Sequence, residues 1–186
     1  MNIGIDFGST YSVFSKYNAL TGNAEAIPVA EGEPASIPSV VSISKKGQVT
    51  TGKGAKDQAG KKTVRIFEGF KILLTEANRE MLKKRGYDDH YSPREITRCY
   101  LESTLKGVLN QENQSSFENV VICVPEIWSE NLTTLDGRMI LRTILQKRSA
   151  FRSSMSRWSP SRRQPAPFSP TTMKRKPASS STATSC

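Results

Sequence analysis

Asn2-Ile3-Gly4-Ile5-Asp6-Phe7-Gly8-Ser9-Thr10-Tyr11-Ser12 stands at the head of the sequence and decides how the rest is read. Apolar side chains fall at Ile3, Ile5 and Phe7, the period of a strand with one buried face. Gly8-Ser9-Thr10 then makes a tight turn. Strand-like character resumes over 11–17 and ends at the turn signal Leu20-Thr21-Gly22-Asn23, so the chain opens on a β-hairpin. Asp6 sits at the end of the first strand, directly before a glycine and two hydroxyl residues. Phosphate oxygens need backbone N–H groups and small hydroxyls at close range, and glycine allows that approach because it has no Cβ. A carboxylate at the strand end suits a hydrated magnesium ion that bridges phosphates. The same residues also read as an ordinary hairpin turn, and from these positions alone both readings stand. The pattern GxxxxGK[ST] does not occur, which excludes a P-loop NTPase.

Outward from the hairpin the pattern is α/β. Short strands are expected at 26–29 and at 39–44 (SVVSIS), with the turn-rich EGEPASIP between them and a turn at 45–48. A helix is expected over 76–85, closed by Gly86. Ser92-Pro93-Arg94-Glu95 is a capping box with proline at the first helical position. Ile96, Tyr100, Leu101, Leu105, Val108 and Leu109 then form one apolar helix face that ends near Asn110. The unbroken apolar run 119–124 (NVVICV) predicts a buried central strand, stopped by Pro125. Ser129 is the expected cap of a last helix carrying Leu132, Leu135, Met139, Ile140 and Ile144.

Composition divides the chain. Of 186 residues, 36% are apolar, 24% charged and 8% aromatic, with a mean hydropathy of −0.47. No stretch approaches the roughly 20 apolar residues of a membrane helix. Cys99, Cys123 and Cys186 form no CxxC pair, and with His90 as the one histidine they offer no zinc spacing; they suit a reducing cytoplasmic setting. Residues 1–138 hold 17 Lys+Arg and 17 Asp+Glu, whereas 139–186 hold 10 Lys+Arg and no acidic residue. The whole net charge of +10 therefore lies in the second segment, which also lacks glycine. Two domains are expected: 1–147, folded, and 148–186, a basic Ser/Pro/Arg-rich tail too poor in apolar residues to order itself.

Four segments carry a resemblance to a known family. IGIDFGSTYS (3–12) resembles the first phosphate loop of the 70-kDa heat-shock chaperones (the DnaK type) of the actin-like ATPase superfamily. IPSVV (37–41) is similar to the family's "TPSVV" strand. GKGAKDQ (52–58) followed by FKILL (70–74) is similar to "G..AK.Q" and "FKRLL", and VICVP (121–125) to "VITVP". The resemblance implies an actin-like, ribonuclease-H-like ATPase lobe with a mixed five-strand sheet and flanking helices. It implies ATP and Mg2+ as cofactors, unfolded client proteins and cochaperones as partners, and a cytoplasmic location without membrane attachment. Asp6 would lie beside the magnesium and its water. Gly8, Ser9, Thr10 and Tyr11 would wrap the β- and γ-phosphates, and Lys71 would be the catalytic residue reaching the γ-phosphate and the attacking water. Pro125 would couple nucleotide state to the rest of the chaperone. Without the family, Lys71 reads as one solvated lysine among many and Pro125 as a strand terminator.

The departures shape the expectation as much as the matches. After Val-Pro the family has an aromatic pair, then Gln and Arg; here Glu126-Ile127-Trp128-Ser129-Glu130-Asn131-Leu132 follows. Trp128 stands in for the aromatic, but no arginine comes next. The second phosphate loop, a catalytic glutamate, the adenosine pocket and the substrate-binding domain do not occur in the sequence. The expectation is therefore an incomplete ATP hydrolase with little activity alone, whose strands at 2–7, 12–17 and 119–124 expose unpaired edges. For the tail, two readings stand. A basic arm would bind nucleic acid through RSSMSRWSPSRR and MKRKP, making the protein a non-catalytic binding module. Alternatively the tail reflects a shifted reading frame, since a one-base shift from Arg157 onward permits VEPIAAASAFFAYNYEKETG, with the family's "EP.AAA" signature.

Overall fold

The computed structural model describes residues 1–125, 128 and 136–146. The tail 148–186 and the expected positions Glu126, Ile127, Ser129, Leu132 and Leu135 lie outside the described residues. The chain begins with β1 (Asn2–Phe7), β2 (Tyr11–Asn18) and β3 (Asn23–Ile27), then β4 (Ser36–Pro38), β5 (Val40–Ser44) and β6 (Val49–Thr51). After α1 (Gly52–Lys56) come β7 (Val64–Glu68), a 3-10 turn at Ile72–Thr75 and α2 (Arg79–Lys84). The long helix α3 (Pro93–Gln111), β8 (Asn119–Ile122) and α4 (Gly137–Gln146) complete it.

Among the described residues the strands form two sheets. The first is five-stranded and mixed, ordered β3-β2-β1-β8, with β4 paired to β2 beside β3. β1 runs antiparallel to β2, with Asp6 opposite Val13, and parallel to β8, with Ile5 opposite Ile122. The second sheet, β6-β5-β7, is antiparallel throughout. Alternation on β1 and β2 sends Ile3, Ile5, Phe7, Ser12 and Phe14 to the buried face, as the sequence pattern requires. α3 begins as its capping box dictates: the Ser92 hydroxyl accepts from the Glu95 N–H at 3.2 Å. Its six anticipated apolar residues are all buried in one core cluster with the sheet residues. Within that cluster Phe7 meets Tyr100 at 6.0 Å and Phe70 at 6.1 Å between ring centroids.

Several expectations are corrected. The run 119–124 is not a doubly buried central strand. β8 alternates outward and inward, Val121 is 39% exposed, and among the described residues the strand pairs with β1 alone. An apolar run fixes strand length, whereas burial of both faces needs cover on each side. β1 and β2 expose no free edge, since each has neighbours on both sides. β3 lies earlier than 26–29, because Asn18 and Asn23 close the turn between it and β2. The fifth member of the mixed sheet is Ser36–Pro38 from the turn-rich segment, while Val40–Ser44 belongs to the second sheet. α2 is shorter than 76–85, because the Asn78 side chain caps it by accepting from the Met81 N–H at 3.0 Å.

Tyr87 follows α2 and gives an alkaline signature. Its phenol is buried, lies 5.3 Å from the Phe67 ring and donates to the Glu68 carbonyl at 3.2 Å. Burial raises its pKa from 10.0 to about 12. The folded state then keeps a proton that the unfolded chain releases, so stability is full below pH 10 and falls as pH rises from 10 toward 12. Thermal melts across that window should show a falling melting temperature, and Tyr87→Phe should flatten part of the fall. The buried Tyr100 phenol, shifted in the same direction by desolvation, contributes to the remainder.

Candidate phosphate hairpin

The turn between β1 and β2 is held from beneath. Ser39, in the one-residue joint between β4 and β5, donates its N–H to the Thr10 carbonyl and its hydroxyl to the Gly8 carbonyl, each at 2.8 Å. The Ser39 hydroxyl in turn lies 2.9 Å from that of Ser12. Both serines are buried. These bonds face the loop carbonyls inward. The N–H groups of Ser9 and Thr10 make no hydrogen bond among the described residues. A Cβ on Gly8 would run into the Tyr11 carbonyl, so glycine is needed here for the turn to close on itself. That steric fact supports the plain hairpin reading and the phosphate reading alike.

Lys71 comes to the same place from 64 residues away. It enters just before the 3-10 turn, is only 7% exposed, and donates its ammonium to the Phe7 carbonyl, the last of β1. The Phe7 ring centroid is 5.3 Å from Nζ and that of Trp128 is 6.0 Å. A buried ammonium is costly without compensation, and a carbonyl plus two aromatic faces supply it. The solvated-lysine reading of Lys71 is thus overturned. Trp128 is itself seated against α4, where a Cβ on Gly137 would approach the indole to 2.6 Å.

The other anticipated site residues lie close in chain and fold. Asp6 is half-buried on the sheet face opposite Phe7, and Tyr11 is largely exposed, with the Lys56 ammonium 5.7 Å from its ring. Pro125 follows β8, and its carbonyl accepts from the Trp128 N–H at 3.3 Å. Loop, Asp6 and Lys71 are therefore gathered around one end of β1. No cluster of three or more metal-ligating side chains occurs among the described residues. No described helix is long and apolar enough to cross a membrane.

Sequence reasoning missed Ser12, Ser39 and Tyr100 as parts of this arrangement. A signal existed for Ser12, a polar residue at a core-facing strand position, since buried hydroxyls require partners. Ser39 gave less, because it lay inside a presumed strand.

No family model matches the chain. Over 128 residues, 69% of the chain, it is 31% identical to the chaperone protein DnaK of Thermotoga petrophila and 34% identical to that of Thermosipho melanesiensis. It is 35% identical to the Thermotoga neapolitana DnaK over 104 residues. The chain spans 20% of the length of the first two of these relatives and 16% of the third. This distant, partial similarity supports a relationship to the 70-kDa heat-shock chaperone family.

Proposed function

We propose that residues 1–147 are part of the nucleotide-binding lobe of an actin-like ATPase of the 70-kDa heat-shock type, and that the β1–β2 hairpin holds the phosphates of ATP. One observation carries this reading: a buried lysine braces the carbonyl beside a Gly-Ser-Thr loop whose Ser9 and Thr10 N–H groups have no hydrogen-bond partner among the described residues. ATP would supply a reactive phosphoric anhydride, and Mg2+ would offset its charge. The chain's own residues would do the holding. Ser9 and Thr10 would donate to phosphate oxygens, and Asp6 would orient water around the ion. Lys71 would offer positive charge where negative charge grows as water attacks in line. One carboxylate fits a magnesium ion held chiefly by phosphates and water. Client proteins, cochaperones, Pro125 coupling and a cytoplasmic setting follow only as part of this reading.

The test is site-resolved. In amide-correlation NMR spectra of the full chain, Mg·ATP should move the signals of residues 8–11, and chelating the magnesium should return them. Signals that stay in place up to millimolar nucleotide would overturn the phosphate reading. In a full-length relative, replacing the lysine equivalent to Lys71 by methionine should abolish turnover and leave binding largely intact. Retained turnover would remove Lys71 from the chemistry.

A further inference from the structure

We propose that Ser39 is a positioning residue that sets the shape of the phosphate hairpin and links it to the second sheet, an inference that rests on the hairpin's proposed phosphate role. Three features carry it. Ser39 fastens both ends of the turn, through its N–H to Thr10 and its hydroxyl to Gly8, each at 2.8 Å. A hydroxyl has one hydrogen, and here it goes to the Gly8 carbonyl, so in the 2.9 Å contact Ser12 is the donor and Ser39 the acceptor. The relay therefore has a direction, Ser12 to Ser39 to Gly8. Behind it sits the Tyr100 hydroxyl, the buried side-chain polar atom that makes no hydrogen bond among the described residues. Its phenol is raised by desolvation, with the neighbouring Ser12 and Ser39 hydroxyls acting in the opposite sense.

The position of Ser39 in the chain matters as much as its bonds. Pro38 ends β4 in the five-stranded sheet and Val40 begins β5 in the three-stranded one, so Ser39 alone joins them. Proline before it fixes one backbone angle, and β5 is buried along nearly its whole length, so the joint has little slack. A displacement of the hairpin carbonyls is passed through two short hydrogen bonds to the first residue of the second sheet. The loop is thus built to feel how the two sheets sit, and the second sheet to feel what the loop holds.

The experiment uses the full chain, 15N-labelled, with magnesium tripolyphosphate as a probe that needs no adenosine pocket. In the unliganded wild type, backbone order parameters at residues 8–11 should be near the rigid value of about 0.85. Ser39→Ala should lower them toward about 0.6 while residues 23–27 stay unchanged. It should also weaken tripolyphosphate binding, read at residues 8–11, by tenfold or more. In the wild type the probe should shift residues 40–44 together with 8–11, and in Ser39→Ala that second set should stay still. Ser39→Cys, which keeps the backbone N–H bond to Thr10 and a weak side-chain donor at the same position, should fall between the two and guards against a loss of folding in the alanine variant. Unchanged order at 8–11 in both Ser39 variants would overturn the proposal, whether or not tripolyphosphate binds. A wild type whose residues 8–11 ignore the probe, with order lost in Ser39→Ala, would instead retain the positioning role and overturn the phosphate reading.

Discussion

Titrated calorimetrically, this chain should bind Mg·ATP at least a hundredfold more weakly than a full-length relative, a difference of about 2.8 kcal/mol. The chain spans 20% of such a relative, and on the proposed reading the groups gathered at the end of β1 would address only the phosphates. Nothing among the expected motifs supplies a base pocket or a second phosphate loop, so half or more of the contacts a closed nucleotide site offers are missing. Each tenfold in affinity corresponds to about 1.4 kcal/mol, the scale of one or two charge-assisted hydrogen bonds, and a hundredfold is a conservative expectation. Weak binding that tracks magnesium would fit the proposed site. Tight, magnesium-dependent binding by the isolated chain would sink this prediction, because it would mean that these few groups suffice.

The second large effect is on stability. Phe7→Ala should cost about 3–5 kcal/mol, a large share of the 5–15 kcal/mol by which a domain is usually stable. Phe7 is wholly buried, its ring meets Phe70 and Tyr100, and its carbonyl takes the Lys71 ammonium. Truncation therefore opens a cavity and loosens the seat of a buried charge together. In urea unfolding the midpoint should collapse or the cooperative transition vanish. Tyr17→Ala, at a side chain 68% exposed on the next strand, should stay within about 0.5 kcal/mol of the parent. A loss below about 1 kcal/mol for Phe7→Ala would show that this aromatic cluster is not the centre of the fold.

What could be read from the sequence divides along a physical line. The hairpin and α3 were legible because each announces itself locally: alternation at Ile3, Ile5 and Phe7, a serine cap at Ser92, and one apolar face from Ile96 to Leu109. Asp6, the Gly8–Tyr11 loop and Lys71 became candidates through resemblance, and local pattern gave Lys71 no distinction. What makes it unusual is a carbonyl 64 residues away and two rings around its ammonium, contacts that no short window contains. The second sheet was missed because β6 (VTT) and β7 (VRIFE) are short and break alternation, with Ile66 and Phe67 adjacent in β7, so neither showed a clear period. β8 was overread for the opposite reason: after Asn119 its composition is apolar, and only the pairing tells which face is covered. Residues 126–127, 129–135 and 147–186 lie outside the described residues, and their reading rests on sequence alone.

The parallel pairing of β1 with β8 has a consequence for how the protein is made. Asn2 lies opposite Asn119, and the terminal amine sits 3.3 Å from the Ser116 carbonyl and 3.5 Å from the Glu118 carboxylate. β1 therefore leaves the ribosome well before β8, the last of the described strands and the partner it waits for. At synthesis rates of 5–20 residues per second, that wait is roughly 6–23 s. During it the β1–β2 hairpin exists with one side of β1 open, and an apolar strand with an open side is the feature that other nascent chains pair with most readily. Slow codons or a stalled ribosome between codons 20 and 119 lengthen that exposure without changing a single residue of the finished molecule.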